Sequence, residues 1–433
     1  MVPAGGDARV IALGIALASL VIWLVLLVAR DGFWQTAERD SMLLNGAPAQ
    51  AGAQGFERGA WDSGLLPAQE HEGDVDSDDV SRWMPAQAVR SRWPSVVAIV
   101  PARDEAEVIA RSIGSLAAQD YPGDFRILLV DDSSSDGTAE VARSAGGDRL
   151  QVVTGAALPN GWTGKLWAVS QGIAAAGAAP DYLLLTDADI AHAPDTLRTL
   201  VARAVAEDRV LVSLMARLRC ESLAERALIP AFVWFFQMLY PFAAVNRRGS
   251  GQGAAAGGVM LVERSALQAA GGIAAVRAAL IDDCAFGALM KTQGAIWLGL
   301  TDRAVSIRRY DTWESVAAMI SRSAYAQLNY SPVLLAGTTL GLAITYLAPP
   351  LFAIFGQGAV RMTAIAAWVL MALAFQPMLR FYRRSPLWGP ALPLIATFYG
   401  GCTVLSAWQH VRGRGGMWKG RVQAARHEES TTS

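Results

Sequence analysis

Cysteine is scarce in this chain, and charge is thin and almost balanced. The three cysteines, Cys220, Cys284 and Cys402, stand far apart in apolar or helical stretches. That spacing forms neither a disulfide framework nor a metal-ligand pattern and leaves them as packing residues. Only 17% of the 433 residues are charged and the formal net charge is −1, which excludes the basic footprint of a nucleic-acid binder. What fills the chain is apolar. Hydrophobic residues make up 53%, too many for an ordinary soluble enzyme, while the middle is too polar to be all membrane. The expectation is a soluble domain with membrane anchors at both ends.

The first anchor is the run from Val10 to Val28, close to the ~20 residues that cross the hydrocarbon as a helix. Arg30 and Asp31 close it, and it has neither a basic leader nor a small-residue cleavage site, so residues 1–32 read as an uncleaved transmembrane anchor. Residues 33–93 turn to Ala, Gly, Pro, Gln and acids, including the run Glu70 to Asp79, and cannot bury enough apolar area to offset ordering. They read as a polar, disordered linker in which His71 and the carboxylates are solvated rather than metal-binding. Residues 331–409 predict three more spans, Val333 to Phe355, Met362 to Leu379 and Leu387 to Trp408, followed by a basic tail over 410–433. Pro349 and Pro350 predict a kink or a re-entrant turn in the first of these. Arg380, Arg383 and Arg384 fit the cytoplasmic side, but four spans place Arg412, Arg414, Lys419 and Arg421 outside, against the positive-inside tendency; a re-entrant segment restores it.

Residues 94–330 alternate short apolar runs with helical stretches, the grammar of an α/β domain. Strands are predicted at Ser95 to Val100, Phe125 to Val130, Leu150 to Val153, Tyr182 to Thr186 and Val210 to Met215, and helices at Glu105 to Ala118, Asp136 to Ala145, Leu166 to Ala175 and Pro194 to Ala206. Successive parallel strands end at one edge, so Pro101, Asp131, Thr154 and Asp187 are expected to open on one crevice. Ala227 to Val245, with Trp234, Phe235, Phe236, Tyr240 and Phe242, reads as an interfacial helix that receives an apolar substrate, with a core helix as the alternative. Trp313, Met319, Ile320 and Leu328 mark an amphipathic membrane-surface segment.

Chemistry gathers at the predicted strand ends. Asp187 and Asp189 alternate after the run ending at Thr186, so both can reach one hard cation, and that cation can hold a diphosphate. Asp132 follows a strand and can accept hydrogen bonds from a base or ribose, whereas Asp136 suits a helix cap. Arg103 can approach a nucleotide or its phosphates, while Asp104 and Glu105 also suit a helix start by charge alone. Lys165, in Gly161-Trp-Thr-Gly-Lys165, can neutralise phosphate oxygens, although the spacing is not that of a P-loop and excludes that kind of ATPase. Gly257 and Gly258 let backbone approach a sugar, and Asp283, beside Asp282 at a helix start, is placed to take a proton from an acceptor hydroxyl.

Together these segments resemble the family 2 glycosyltransferases with the GT-A fold over residues 94–310. The resemblance is carried by Pro101-Ala-Arg-Asp-Glu105, Val130-Asp-Asp-Ser-Ser-Ser-Asp136, Gly164-Lys165, Asp187-Ala-Asp189, Gly257-Gly258 and Ile281-Asp-Asp283. It implies an α/β GT-A (nucleotide-diphospho-sugar transferase) fold with N- and C-terminal transmembrane helices. It implies a UDP-sugar donor held by Pro101, Arg103, Glu105, Asp132, Lys165, Asp187, Gly257 and Gly258, with Asp132 on the uridine. It also implies Mg²⁺ or Mn²⁺ on Asp189, with Asp187 as a sugar- or metal-contacting partner, and Asp283 as catalytic base next to Asp282.

The chain also resembles, almost end to end, the hopene-associated glycosyltransferases of bacteria. Leu158 to Ala168, Leu214 to Glu221, Pro230 to Pro241 and Tyr330-Ser-Pro332 carry that similarity, and the polar insert after the anchor departs from it. This resemblance implies a membrane lipid acceptor, hopanoid-related, at the bacterial inner (cytoplasmic) membrane, in a multi-pass protein whose catalytic domain faces the cytoplasm. The (Q/R)xxRW signature of processive relatives is missing from Ile320 to Gln327, which argues against polymer synthesis. Transfer to a polyprenyl phosphate or another lipid is the nearest alternative, and a non-catalytic scaffold is the alternative from another class. The spans show no internal repeat or intramembrane ionisable network of the kind a transporter uses.

Overall fold

The computed structural model describes residues 5–40 and 93–413, with the backbone of 417–418 and 421–422. The acidic run Glu70 to Asp79, His71 and most of the basic tail therefore lie outside the described residues. After the N-terminal helix α1 (Gly5–Ala29), four parallel strands form half of a sheet: β1 (Val96–Ala102), β2 (Phe125–Asp131), β3 (Leu150–Thr154) and β4 (Tyr182–Thr186). Helices α2 (Ala106–Ala117), α3 (Thr138–Gly146) and α4 (Gly164–Ala176) link them. All seven residues of β1 are buried, which is why that strand reads as a continuous apolar run rather than an alternating one. Register places Ala102 opposite Asp131 and Asp131 opposite Thr154, so these strands end level, as their sequence grammar predicts.

Beyond β4 the parallel grammar stops. After β5 (Ile190–His192), α5 (Thr196–Ala206) and β6 (Leu211–Arg217), strand β7 (Val259–Glu263) inserts antiparallel between β4 and β6. The long strand β8 (Ile296–Ser306) then runs parallel to β6 and antiparallel to β5, closing a mixed sheet of order β3-β2-β1-β4-β7-β6-β8-β5. The β4–β5 connection, Asp187 to Asp189, thus stands where the parallel half meets the antiparallel half.

The remaining helices are α6 (Leu223–Leu239), α7 (Phe242–Asn246), α8 (Arg264–Ala269), α9 (Asp282–Lys291), α10 (Trp313–Ser321), α11 (Pro332–Leu342), α12 (Ala348–Phe355), α13 (Gly358–Phe381) and α14 (Leu392–Val411). A capping box between Ser222 and Glu225 starts α6. Much of this helix is covered by protein. Leu228, Ile229, Ala231, Val233 and Trp234 are buried, and the Trp234 ring lies 6.2 Å from Trp23, 5.3 Å from Phe33 and 5.7 Å from Phe375. The anchor and α13 cover one face of α6, and Phe232, Phe235 and Phe236 on its other side line a cavity.

The linker also begins later than composition suggests. Phe33 is buried in the aromatic cluster, Arg39 bridges to Leu300, and Asp40 is buried 3.3 Å from Arg303. An aromatic ring and a paired acid fasten residues 33–40 to the domain.

Among the described residues three helical stretches are long and apolar enough to cross a membrane: Asp7–Ala29, Pro332–Phe355 and Gly358–Phe381. The last expected span is a 20-residue helix, α14, but falls short of that apolarity, since Thr397, Thr403, Ser406, Gln409 and His410 interrupt it. The stretch Pro332–Phe355 does not turn back at its proline pair. A π-helical segment, Ala343–Leu347, precedes Pro349 and Pro350 and keeps the axis continuous.

Candidate active site

Two groups of side chains meet along the level strand ends. In the first, Asp132 is buried after β2, and Arg103 donates from one Nη to its carbonyl at 2.7 Å and its carboxylate at 3.4 Å. The guanidinium expected on a nucleotide thus already braces the acid expected on the base. Asp136 accepts from the amides of Ala106 and Thr138, pinning the starts of α2 and α3, which fits its reading as a cap. Oδ1 of Asp131, one of the strand-end residues expected on the crevice, is buried without a hydrogen-bond partner at the same edge.

The second group surrounds Lys165, the second residue of α4, whose start is capped by Thr163. Its Nζ lies 2.9 Å from Asp187 and 3.1 Å from Asp282, so this lysine ties the β4–β5 connection to the start of α9. Burial works against its charge, but Asp187 and Asp282 outweigh it and hold its pKa above the ordinary value. Burial raises the pKa of Asp187, with Lys165 opposing. Asp283 accepts from the amide of Gly257 at 3.0 Å and from that of Cys284 at 2.8 Å. Burial first, and then the charge of Asp282, push its carboxyl up to about 6.

The glycine pair keeps this cluster tight. A Cβ on Gly257 would meet Lys165 Nζ at 3.2 Å and Asp283 Oδ2 at 3.4 Å, and one on Gly258 would meet Ile190 at 3.3 Å. Beneath them, the Thr186 hydroxyl donates to the Gly258 carbonyl at 2.7 Å and lies 3.1 Å from Nε2 of His192. With its proton committed, that hydroxyl accepts from His192, leaving Nδ1 buried and bare. Pro101 shares a small cleft with Lys165, Asp187, Gly257 and Asp282.

The two groups are joined by a residue the sequence reading missed. Arg308, two positions past β8, donates to Asp189 at 2.9 Å and to Glu105 at 2.6 Å. Glu105 therefore serves here as an ion-pair partner, and one oxygen of Asp189 is taken by Arg308 together with Ser306 at 3.2 Å. An arginine right after a long strand, in Ser306-Ile-Arg308, was the available signal.

Asp187 and Asp189 are hard oxygen donors suited to Mg²⁺ or Mn²⁺. Among the described residues no group of three or more His, Cys, Asp or Glu surrounds a metal position. The donor set fits an ion that completes its shell with diphosphate and water rather than one caged by protein.

A cavity of about 440 Å³ opens from this cluster. Its lining takes in Lys165, Asp187, Asp189, Asp282 and Asp283 from the cluster, Phe232, Phe235 and Phe236 from α6, and Thr338, Leu342, Tyr399 and Thr403 from α11 and α14. One cavity thus joins the acids of the cluster, the aromatic rings of α6 and residues of α11 and α14.

Residues 97–271 match the sequence model of glycosyl transferase family 2. The chain is 32% identical over 117 residues to the 4,4'-diaponeurosporenoate glycosyltransferase of Staphylococcus aureus, covering 27% of this chain and 30% of that protein. It is 32% identical over 137 residues to an N-acetylglucosaminyltransferase of Mesorhizobium japonicum, covering 31% and 30%. The chain thus spans less than a third of the length of these curated relatives. A solved mannosyltransferase from Pyrobaculum calidifontis, in complex with GDP-Man and Mn²⁺, aligns over 86% of this chain and 98% of its own at 18% identity and a TM-score of 0.46. Residues 97–271 are accordingly a glycosyltransferase family 2 domain, set in an α/β fold with a mixed sheet. Asp282, Asp283 and Arg308 lie beyond the matched stretch.

Proposed function

We propose that this protein is an inverting, metal-dependent glycosyltransferase that moves a sugar from a UDP-sugar to a hydroxyl of a membrane lipid, a hopanoid-related lipid being the specific case. The observation that carries this reading is the cavity running from the acids around Lys165 to the apolar helices α11 and α14. A soluble acceptor has no use for an aromatic passage toward a bilayer, whereas a lipid can keep its tail there while its head reaches Asp283.

In this reading Asp132 and Asp131 take the nucleoside, and Arg103 holds Asp132 in place. Asp189, with Asp187, would hold Mg²⁺ or Mn²⁺, which when bound supplies positive charge against the leaving diphosphate. Lys165 sits between Asp187 and Asp282, where its ammonium faces charge that grows as the anomeric bond breaks. Asp283 removes the acceptor proton, and its raised pKa suits it to a base working near neutrality. A polyprenyl phosphate is already anionic and needs no such base, which favours a hydroxyl acceptor. Single displacement at the anomeric carbon gives inversion.

Counting the three candidate spans alone, with α14 not crossing, would leave Arg380, Arg383, Arg384 and Arg412 on the same side as the catalytic domain. This supports a cytoplasmic catalytic domain at a bacterial inner membrane and removes the conflict that four spans create.

The test is transfer from a panel of radiolabelled UDP-sugars to total bacterial lipids, with the purified protein in detergent and Mg²⁺ or Mn²⁺. A labelled lipid that vanishes in Asp189→Ala is the expected result. Neither transfer nor hydrolysis with any donor would favour the scaffold instead.

A further inference from the structure

Arg308 is a cation held in the place that the donor reading gives to a metal ion. Its Nε is 2.9 Å from Asp189 and one Nη is 2.6 Å from Glu105, a buried acid 203 residues away in sequence. Its backbone neighbourhood is fixed from both sides. The amide of Ile307 donates to the Asp189 carbonyl at 2.8 Å, and Ile190 pairs with Ser306 in the β5–β8 ladder. On the other side, the Tyr310 amide donates to Glu225 at 2.9 Å and Asp311 binds Arg219 at 2.8 Å. The Arg308 side chain itself is 31% exposed, so it can change partners by rotating its own bonds while the loop stays put.

We propose that Arg308 is an exchangeable counter-ion: it neutralises Asp189 and Glu105 while the donor site is empty, and leaves Asp189 for the donor diphosphate when that carboxylate takes up a divalent cation. The proposal rests on the reading of Asp189 as the metal-binding acid of a nucleotide-sugar site. A guanidinium and a divalent cation on one carboxylate repel each other, so the two occupancies compete. A planar guanidinium finds in a phosphate the same paired acceptors that it gives up in a carboxylate. Every moment Arg308 spends on Asp189 is subtracted from the metal-competent population, so the empty protein binds the ion weakly and the ion and nucleotide load together.

The experiment uses the full-length protein in detergent and follows Mn²⁺ by electron paramagnetic resonance, alone and with UDP. Arg308→Gln is expected to bind Mn²⁺ alone about tenfold more tightly than the parent, and to bind UDP in saturating Mn²⁺ about tenfold more weakly. These opposite signs do not arise from a merely structural role. Glu105→Gln removes only one anchor of Arg308 and is expected to tighten Mn²⁺ by a smaller factor, which decides the matter if Arg308→Gln does not fold. Unchanged or weaker Mn²⁺ binding in the folded variants overturns the exchange. Asp189→Asn separates the two readings: Mn²⁺ binding that survives it removes the metal assignment and the exchange together. Binding that it abolishes, but that Arg308→Gln and Glu105→Gln leave unchanged, removes the exchange alone.

Discussion

The indole N–H of Trp23 donates to the carbonyl oxygen of Thr345 at 3.0 Å, fastening the N-terminal anchor to the π-helical segment of the next apolar helix. That carbonyl is orphaned by the sequence around it. An α-helix would draw its donor from position 349 and a π-helix from position 350, and both are proline. Ser19 adds a second donor at 3.4 Å.

Trp23→Phe should therefore destabilise the bundle, with the lost hydrogen bond contributing about 1 kcal/mol beyond any change in packing. Pro349→Ala supplies a new N–H to the same carbonyl and should recover part of that loss in the double variant. Thermal unfolding in detergent across the mutant cycle measures this, and a rescue of zero would mean that the indole acts through packing alone.

The pH dependence of turnover should follow Asp283. Burial and the neighbouring Asp282 raise its carboxyl to about 6, and a base works only when unprotonated, so turnover should rise with pH through about 6 and then level. Asp282→Asn removes one raising charge and should move that limb to lower pH. Asp283→Asn should lower turnover by roughly 10² to 10⁴ while UDP and Mn²⁺ still bind. Near-parental turnover in that variant would take the role of base away from Asp283.

His192 should influence stability rather than the rate profile. Burial alone lowers its pKa from 6.5 to about 4, so the folded state prefers the neutral ring. The unfolded chain binds the proton first as pH falls, so this group's stabilising contribution is present above about 6.5 and is lost progressively toward 4. His192→Asn should flatten melting temperature against pH across that window relative to the parent, and leave the turnover limb near 6 in place. A limb that moved with His192 would reassign it.

Thr338 lines the cavity from α11. Thr338→Trp should fill the passage and reduce transfer to lipid by about tenfold or more, a steric effect, while hydrolysis of the donor by water continues. Equal losses of both reactions would mean that the passage does not carry the acceptor.

Much of the parallel half of the sheet was legible because its strands are short, largely apolar runs, two of them leading into a carboxylate, as with Val130 before Asp131 and Thr186 before Asp187. Asp136 was readable as a cap because its bond to the Thr138 amide is local, although its other bond reaches Ala106. Arg308 was not, because its partners Asp189 and Glu105 stand 119 and 203 residues away and meet it only through the β5–β8 ladder and the end of β1. For α6, aromatic content identifies residues that prefer to leave water, but only the packing of α1 and α13 decides that Trp234 is covered by protein. Residues 33–40 read as linker because one phenylalanine and one paired aspartate are too few to shift a composition average.

The passage from Asp283 to Leu342 has a consequence for what this protein can discriminate. On the proposed reading of a lipid acceptor, the substrate would be gripped only near its reactive end, and whatever extends past α11 and α14 would stay in the membrane. Selection then acts on the width of the first rings or branches beyond the hydroxyl and is blind to the length of the remainder. On that reading, lipids that share a head but differ in tail should be equivalent acceptors, and the product would stay in the leaflet that supplied its acceptor.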